Sequence, residues 1–372
     1  MAISLASFLS VMCLCASVAL LNPISCNAQY FFIFGDSIFD PGNAIFIDPA
    51  NPSPAFFPPY GETFPGHPTG RLSDGRLIPD FIATFLNIPF IPPVLNTDAD
   101  FSHGASFASA GAGVFNNYDK AMNLEQQYGN FTQFVKNWKE QYGEAEVDKR
   151  LKEAVYLMNM GGNDHFTFNT KHPIATFAEM QEYATAVVGN FTIIVKKIYT
   201  EFGARKFMFQ NVAPVGCLPM NKQENSITGD GCAPNLLTLA SLHNDLLDKV
   251  MESMKKSSEY PGFTSSIFDF FTQIKDRISR PTDFGFEEGA IACCGTGSNR
   301  GEGCGGDGSY EKCEEPSKYV YFDGGHNTEA TYLQLALLMW NGTSDAVYPH
   351  TMEHLFSYVP IHNVNTKPLF LA

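Results

Sequence analysis

QYFFIFGDSIFDPGN, residues 29–43, carries an apolar run directly into a polar turn. After Gln29 its next five residues are aromatic or β-branched, and the run predicts a strand over 29–34. Beyond the run, Gly35-Asp36-Ser37 and then Asp40-Pro41-Gly42-Asn43 are turn chemistry. In an open α/β sheet, ligands bind beyond the carboxyl ends of the strands. Ser37 is therefore either a nucleophile or an ordinary turn serine, and the stretch alone leaves both open. A serine hydroxyl attacks an acyl carbon only with a base to take its proton, a group to orient the base, and donors for the oxyanion. The rest of the chain has to supply them.

Downstream of this stretch, short apolar runs alternate with helical patterns. Leu124, Tyr128, Phe131, Val135, Trp138 and Tyr142 recur at helical spacing and predict one amphipathic helix. Strands are expected over 154–160 (AVYLMNM), 205–210 (RKFMFQ) and 265–271, and helices over 176–202, 236–254 and 328–340. This alternation implies an α/β fold, a mainly parallel sheet with helices on both faces. No internal repeat or long linker interrupts it, so residues 29–372 are expected to form a single domain.

The 372 residues are 44% apolar and 17% charged, a globular composition with ample material for a core. A formal charge of −15 argues against nucleic acid or an anionic membrane surface as partner, because both need basic patches. Residues 1–28 contain no charged side chain, and their apolar centre ends in small and turn-forming residues. That resembles a secretory signal peptide cleaved after Ala28. The run is also long enough for a signal anchor. With the leader removed, no stable membrane span is expected, and the mature protein should be extracellular or vacuolar.

The cysteines agree with export. Of nine, Cys13, Cys15 and Cys26 lie in the leader, leaving Cys217, Cys232, Cys293, Cys294, Cys304 and Cys313. An even number suits disulfides in an oxidising compartment. Short loops favour Cys217–Cys232, with the other four pairing among themselves. Glycosylation sequons stand at Asn130, Asn190 and Asn341.

The residues just after the apolar runs carry the chemistry. Gly161-Gly162-Asn163-Asp164 follows AVYLMNM, and Asp323-Gly324-Gly325-His326 follows the YVYF of 319–322, which is read as a further strand. A small-residue stretch, SFASAGAG, fills 106–113. His326 is the natural base, and Asp323 can reach its other nitrogen if the segment turns. Backbone N–H groups near Ser37 and Gly111, with the Asn163 amide, could hold an oxyanion. Each element alone has an ordinary reading as a turn, a cap or a close-packing glycine. Within the cysteine-rich 293–313, Gly301, Gly303 and Gly306 match GxGxxG, but no strand precedes them as a dinucleotide site requires. Zinc spacing is absent there too, and a disulfide-pinned surface loop is the better reading.

Taken in order, FGDSxxDxGN, FASxGAG, GxND and DxxH resemble the secreted plant GDSL esterase/lipase family, a branch of the SGNH hydrolases, along nearly all of the chain after residue 28. TGRLSDGR at 69–76, NVAPVGCLP at 211–219 and CCGTG at 293–297 extend the resemblance. It implies a flavodoxin-like three-layer αβα sandwich with a mainly parallel five-stranded sheet. It implies Ser37 as nucleophile with Asp323 and His326, an oxyanion hole from Ser37, Gly111 and Asn163, and no metal or organic cofactor. Asp36, Asp40, Asn43 and Asp164 match supporting positions. The chain departs from the pattern at Ile38 (usually leucine), Ser106 (asparagine), Ala110 (glycine) and Asn327 (proline). It has no G-x-S-x-G elbow.

The expected activity is hydrolysis of a small-molecule or lipid carboxylic ester. An acyl-serine can also pass its acyl group to an alcohol, which makes an acyltransferase the alternative. A third reading is a non-catalytic secreted binding or defence protein. The aromatic loop with Phe56, Phe57, Tyr60 and Phe64 is expected either to line an acyl or alcohol site or to pack in the core.

Overall fold

In a computed structural model, residues 29–115, 120–229, 231–306 and 308–358 are described. The expected leader, 1–28, lies outside them. The strands are β1 (Phe31–Phe34), β2 (Val155–Met158), β3 (Lys206–Gln210), β4 (Thr264–Phe268), β5 (Cys294–Gly295), β6 (Glu311–Lys312) and β7 (Val347–Tyr348). The helices are α1 (Ala44–Ile47), α2 (Ile78–Phe85), α3 (Leu124–Tyr142), α4 (Glu144–Glu153), α5 (Gly162–Lys171), α6 (Phe177–Phe202), α7 (Pro219–Glu224), α8 (Pro234–Lys256), α9 (Phe270–Ser279), α10 (Glu329–Asn341) and α11 (Met352–Ser357).

The main sheet has five strands in the order β1-β2-β3-β4-β7. β1 to β4 are parallel neighbours, and β7 closes one edge antiparallel. Successive side chains of a strand point to opposite faces. Phe31, Ile33, Val155, Leu157, Met208 and Phe268 therefore join one core with α2, α9, α10 and α11. Phe32, Phe34, Tyr156, Met158, Phe207 and Phe209 join the other with α3, α4 and α6. Because both faces are covered, the strands read as unbroken apolar runs. The result is the expected three-layer αβα sandwich.

Capping residues set most of the helix boundaries. The Asn123 side chain accepts from the Gln126 N–H, and Thr176 and Thr328 do the same for α6 and α10. Two expectations are corrected. The strand over 265–271 stops at Phe268, because Asp269 caps the Thr272 N–H and turns Phe270-Phe271 into α9. YVYF is no strand of the sheet; the Cys293 and Cys294 N–H groups donate to the Tyr321 and Phe322 carbonyls instead.

Cys217 pairs with Cys232, and the remaining four resolve as Cys293–Cys313 and Cys294–Cys304. Asn190 on α6 and Asn341 at the end of α10 are exposed, while Asn130 on α3 is half-buried. The in-register parallel strands end together, Phe34 beside Met158 and Met158 beside Phe209. The turns that leave them consequently share one rim.

Candidate active site

Ser37 stands three residues beyond the end of β1, on a turn held from several sides. Gln127 of α3 donates to the Gly35 carbonyl at 2.8 Å and accepts the Gly35 N–H at 3.0 Å. Asp40 accepts the N–H groups of Gly42, Asn43 and Ala110 at 2.6–2.8 Å. The Asn43 amide donates to the Ser106 and Ala108 carbonyls. These contacts lock the FGDS turn to the 106–113 stretch.

The hydroxyl partner comes from the far end of the chain. Ser37 Oγ lies 2.8 Å from His326 Nε2, and His326 Nδ1 lies 2.8 and 2.9 Å from the two Asp323 oxygens. Asp323 Oδ1 also accepts the Gly325 and His326 N–H groups at 2.8 Å, and Oδ2 accepts the Tyr60 hydroxyl at 2.7 Å. Burial opposes the Asp323 charge, but His326 and these donors outweigh it and hold the carboxyl below its usual range. Burial likewise opposes a charged His326, yet Asp323 and then Asp36 outweigh it, so the imidazole lies above its ordinary 6.5. Burial pushes Asp36 and Asp40 up to about 6.

TGRLSDGR braces this segment. Ser73 Oγ donates to the Asn327 carbonyl, Asp74 accepts the Glu329 N–H, and Glu329 receives both the backbone N–H and guanidinium of Arg76. Asn327 uses its amide to donate to the Val320 carbonyl at 3.1 Å.

Ser37, Gly111, Asn163 and His326 line one cavity of about 280 Å³. Ala110 gives its N–H to Asp40. Among the described residues, the N–H groups of Ser37 and Gly111 have no protein acceptor. Asn163 donates one amide hydrogen to the Ala112 carbonyl at 2.8 Å, which orients the group and leaves the second hydrogen. Gly161, at φ +126°, precedes α5 and sets Asn163 in its first turn. Behind it lie the buried His243 and His165, with nitrogens 3.3 Å apart. Burial lowers both, His243 to about 4, so the pair is neutral near pH 7.

Asp36, Asn159 and Asn327 also line it, and most of the remaining side chains are apolar, among them Ile38, Phe166, Val215, Met220, Phe270 and Ile274. NVAPVGCLP thus becomes one wall. None of Phe56, Phe57, Tyr60 or Phe64 is among the lining residues. Phe64 packs edge-on against Phe90, Phe57 is 41% exposed, and Tyr60 is buried beside Asp323. Sequence reasoning gave Tyr60 no role at Asp323 and overlooked Gln127. A polar residue on the buried stripe of Leu124, Gln127 and Phe131 was the readable signal for the latter.

A hydroxyl against an imidazole backed by a carboxylate, beside unpaired N–H groups, is equipped for acyl transfer chemistry. A family model described as GDSL-like Lipase/Acylhydrolase matches residues 31–339. "GDSL esterase/lipase 5" of Arabidopsis thaliana is 40% identical, covering 89% of this chain and 88% of that protein. "GDSL lipase" of Tanacetum cinerariifolium is 37% identical, covering 95% of each. "Inactive GDSL esterase/lipase-like protein 25" of Arabidopsis thaliana is 38% identical, covering 88% of this chain and 75% of that protein.

Proposed function

The chain belongs to the GDSL-like lipase/acylhydrolase family and is an ester-hydrolysing enzyme; from that premise we propose that it works through an acyl-serine intermediate on Ser37. One relative carries the name inactive, so the reading rests on this chain's own geometry. The observation that carries it is the unbroken relay Ser37 Oγ, His326, Asp323, each link 2.8 Å at its shortest.

Neutral His326 keeps its proton on Nδ1, toward Asp323, and accepts the Ser37 hydroxyl at Nε2. As Oγ bonds to the ester carbonyl carbon, its proton passes to Nε2 and the carbonyl π pair moves onto oxygen. The Ser37 and Gly111 N–H groups and the Asn163 amide receive that oxyanion. The oxyanion collapses, the carbon–oxygen bond to the alcohol breaks, and the leaving alkoxide takes the Nε2 proton. Water then repeats the sequence: its proton goes to Nε2, its oxygen bonds to the acyl carbon, and Ser37 leaves with the proton as the free acid forms. Asp323 stays ionised throughout and stabilises the imidazolium.

The acyl group sits against the apolar side of the cavity, by Ile38, Phe166, Val215, Phe270 and Ile274. No lysine or arginine is among its lining residues, which favours an uncharged acyl chain. We assign residues 1–28 as a signal peptide and 29–372 as one secreted hydrolase domain. The disulfides and the exposed sequons Asn190 and Asn341 support export. Among the described residues no helix is long and apolar enough to cross a membrane.

Incubating the pure protein with an ester and excess alcohols tests hydrolysis against transfer. Free acid should dominate. Transesterified product outrunning free acid would overturn water as the acceptor.

A further inference from the structure

We infer that Tyr60 is a positioning residue for the reaction: its hydroxyl holds Asp323 in line with His326, and the disulfide-pinned loop of residues 293–313 holds Tyr60 there. This rests on the roles proposed above for Ser37, Asp323 and His326.

Three observations meet at this side chain. Tyr60 is only 3% exposed, and its hydroxyl donates to Asp323 Oδ2 at 2.7 Å from a loop 263 residues away in sequence. Asp323 Oδ1 is served by two backbone N–H groups, whereas among the described residues Tyr60 is the donor to Oδ2 besides His326 itself. Losing that hydrogen bond would leave a buried carboxylate oxygen underpaired and free to rotate. Burial, and then the Asp323 charge, push the Tyr60 phenol well above its ordinary value, so it remains a protonated donor.

The loop supplies the support. Cys293–Cys313 and Cys294–Cys304 tie it together, and all four cysteines pack in one buried cluster with Tyr60 and Phe322. The Tyr60 ring meets Phe322 edge-on at 5.3 Å. Gly305, at φ +86°, lies so close to that ring that a Cβ would stand 2.8 Å from Cε2. On the other side, a Cβ on Gly324 would stand 1.9 Å from the Gly301 carbonyl oxygen. One loop therefore backs both Tyr60 and the turn that carries Asp323 and His326. This gives the glycines and cysteines of 293–313 a role that a nucleotide or zinc reading could not.

A ring that merely fills space differs from a positioning hydroxyl in a testable way. Tyr60→Phe keeps the ring and deletes the oxygen. Without that donor, the Asp323 charge is less dispersed and draws harder on the His326 proton. The groups facing His326 are Asp323 and Asp36, and neither is changed. The expected result is a kcat on the order of 10-fold lower with KM little changed, and an acid limb of the pH–rate profile moved to higher pH. Rates are expressed per active site titrated with a fluorophosphonate, so a smaller folded fraction does not mimic the effect. Gly305→Ala should lower kcat in the parent and add little in the Tyr60→Phe background. A Tyr60→Phe enzyme with the parent kcat and an unmoved acid limb overturns the proposal, as does a loss that tracks only thermal stability. Ser37→Ala in the same assay separates the two levels: turnover surviving in it would fail the acyl-serine reading itself, not Tyr60.

Discussion

Gly161 and Gly162 are neighbours in sequence, yet the structure asks opposite things of them, and alanine at each position exposes the difference. Gly161 sits at φ +126°, where an L residue is strained by about 1–2 kcal/mol. A Cβ there would stand 2.6 Å from His243 Cε1 and 2.9 Å from Nδ1. That ring is buried and backed by His165, so it cannot step aside, and overpacking of this kind costs about 1–3 kcal/mol. Gly161→Ala should therefore lose about 2–5 kcal/mol. At the usual unfolding entropy per residue, that is a fall of about 3–7 °C in Tm for a chain of this size. It should also shift the first turn of α5 and with it Asn163. Removing one oxyanion donor costs about 10²–10³ in kcat. At Gly162 a Cβ meets nothing nearer than 3.9 Å, and the residue is helical. Gly162→Ala should melt at or slightly above the parent temperature and keep kcat/KM within a few-fold. Thermal melts and turnover of a chromogenic ester measure both. Equal behaviour of the two variants would refute the reasoning.

Because His326 must be neutral to take the serine proton and its folded value lies above 6.5, kcat/KM should reach half its plateau above pH 6.5; a profile still flat at pH 5 contradicts this. Asp323→Asn removes the charge that raises His326, so the limb should move to lower pH while kcat falls about 10³–10⁴-fold in steady-state assays. His243 stays neutral in the fold down to about 4 but takes a proton near 6.5 when unfolded. Native stability carried by it is therefore lost as pH falls from 6.5 toward 4, by about 3 kcal/mol. Urea unfolding should show the advantage of the parent over His243→Gln shrinking across that window; the opposing contributions of Asp36 and Asp40 are common to both proteins and cancel. Ile274→Trp, which fills part of the cavity, should cost about 10-fold or more in kcat/KM on the longest esters of a graded series and little on acetate; a uniform loss would place the acyl chain elsewhere.

The sheet was legible because a strand covered on both faces has only apolar residues to show, as in FFIF, VYLM and KFMF. β7 escaped notice: two residues, Val347-Tyr348, carry no period. YVYF looked like a strand and is not, because its carbonyls are claimed by the cysteine loop rather than by the sheet. Phe270-Phe271 favour a strand locally, and the Asp269 cap overrules them. At the site, Ser37, Asp323 and His326 could be picked out because each comes after an apolar run in a recurring order of blocks. Tyr60 could not, since a hydrogen bond across 263 residues leaves no local pattern. That Asp40 takes the Ala110 N–H and leaves that of Gly111 toward the cavity had no local signature either.

The central claim, that Ser37 is the nucleophile activated by His326, is tested most directly by labelling with a fluorophosphonate probe and then mapping the labelled peptide. The parent protein should be labelled once, on the peptide carrying Ser37. Ser37→Ala should take no label, and His326→Ala should be labelled far more slowly. Equal labelling of the parent and Ser37→Ala would contradict the claim outright.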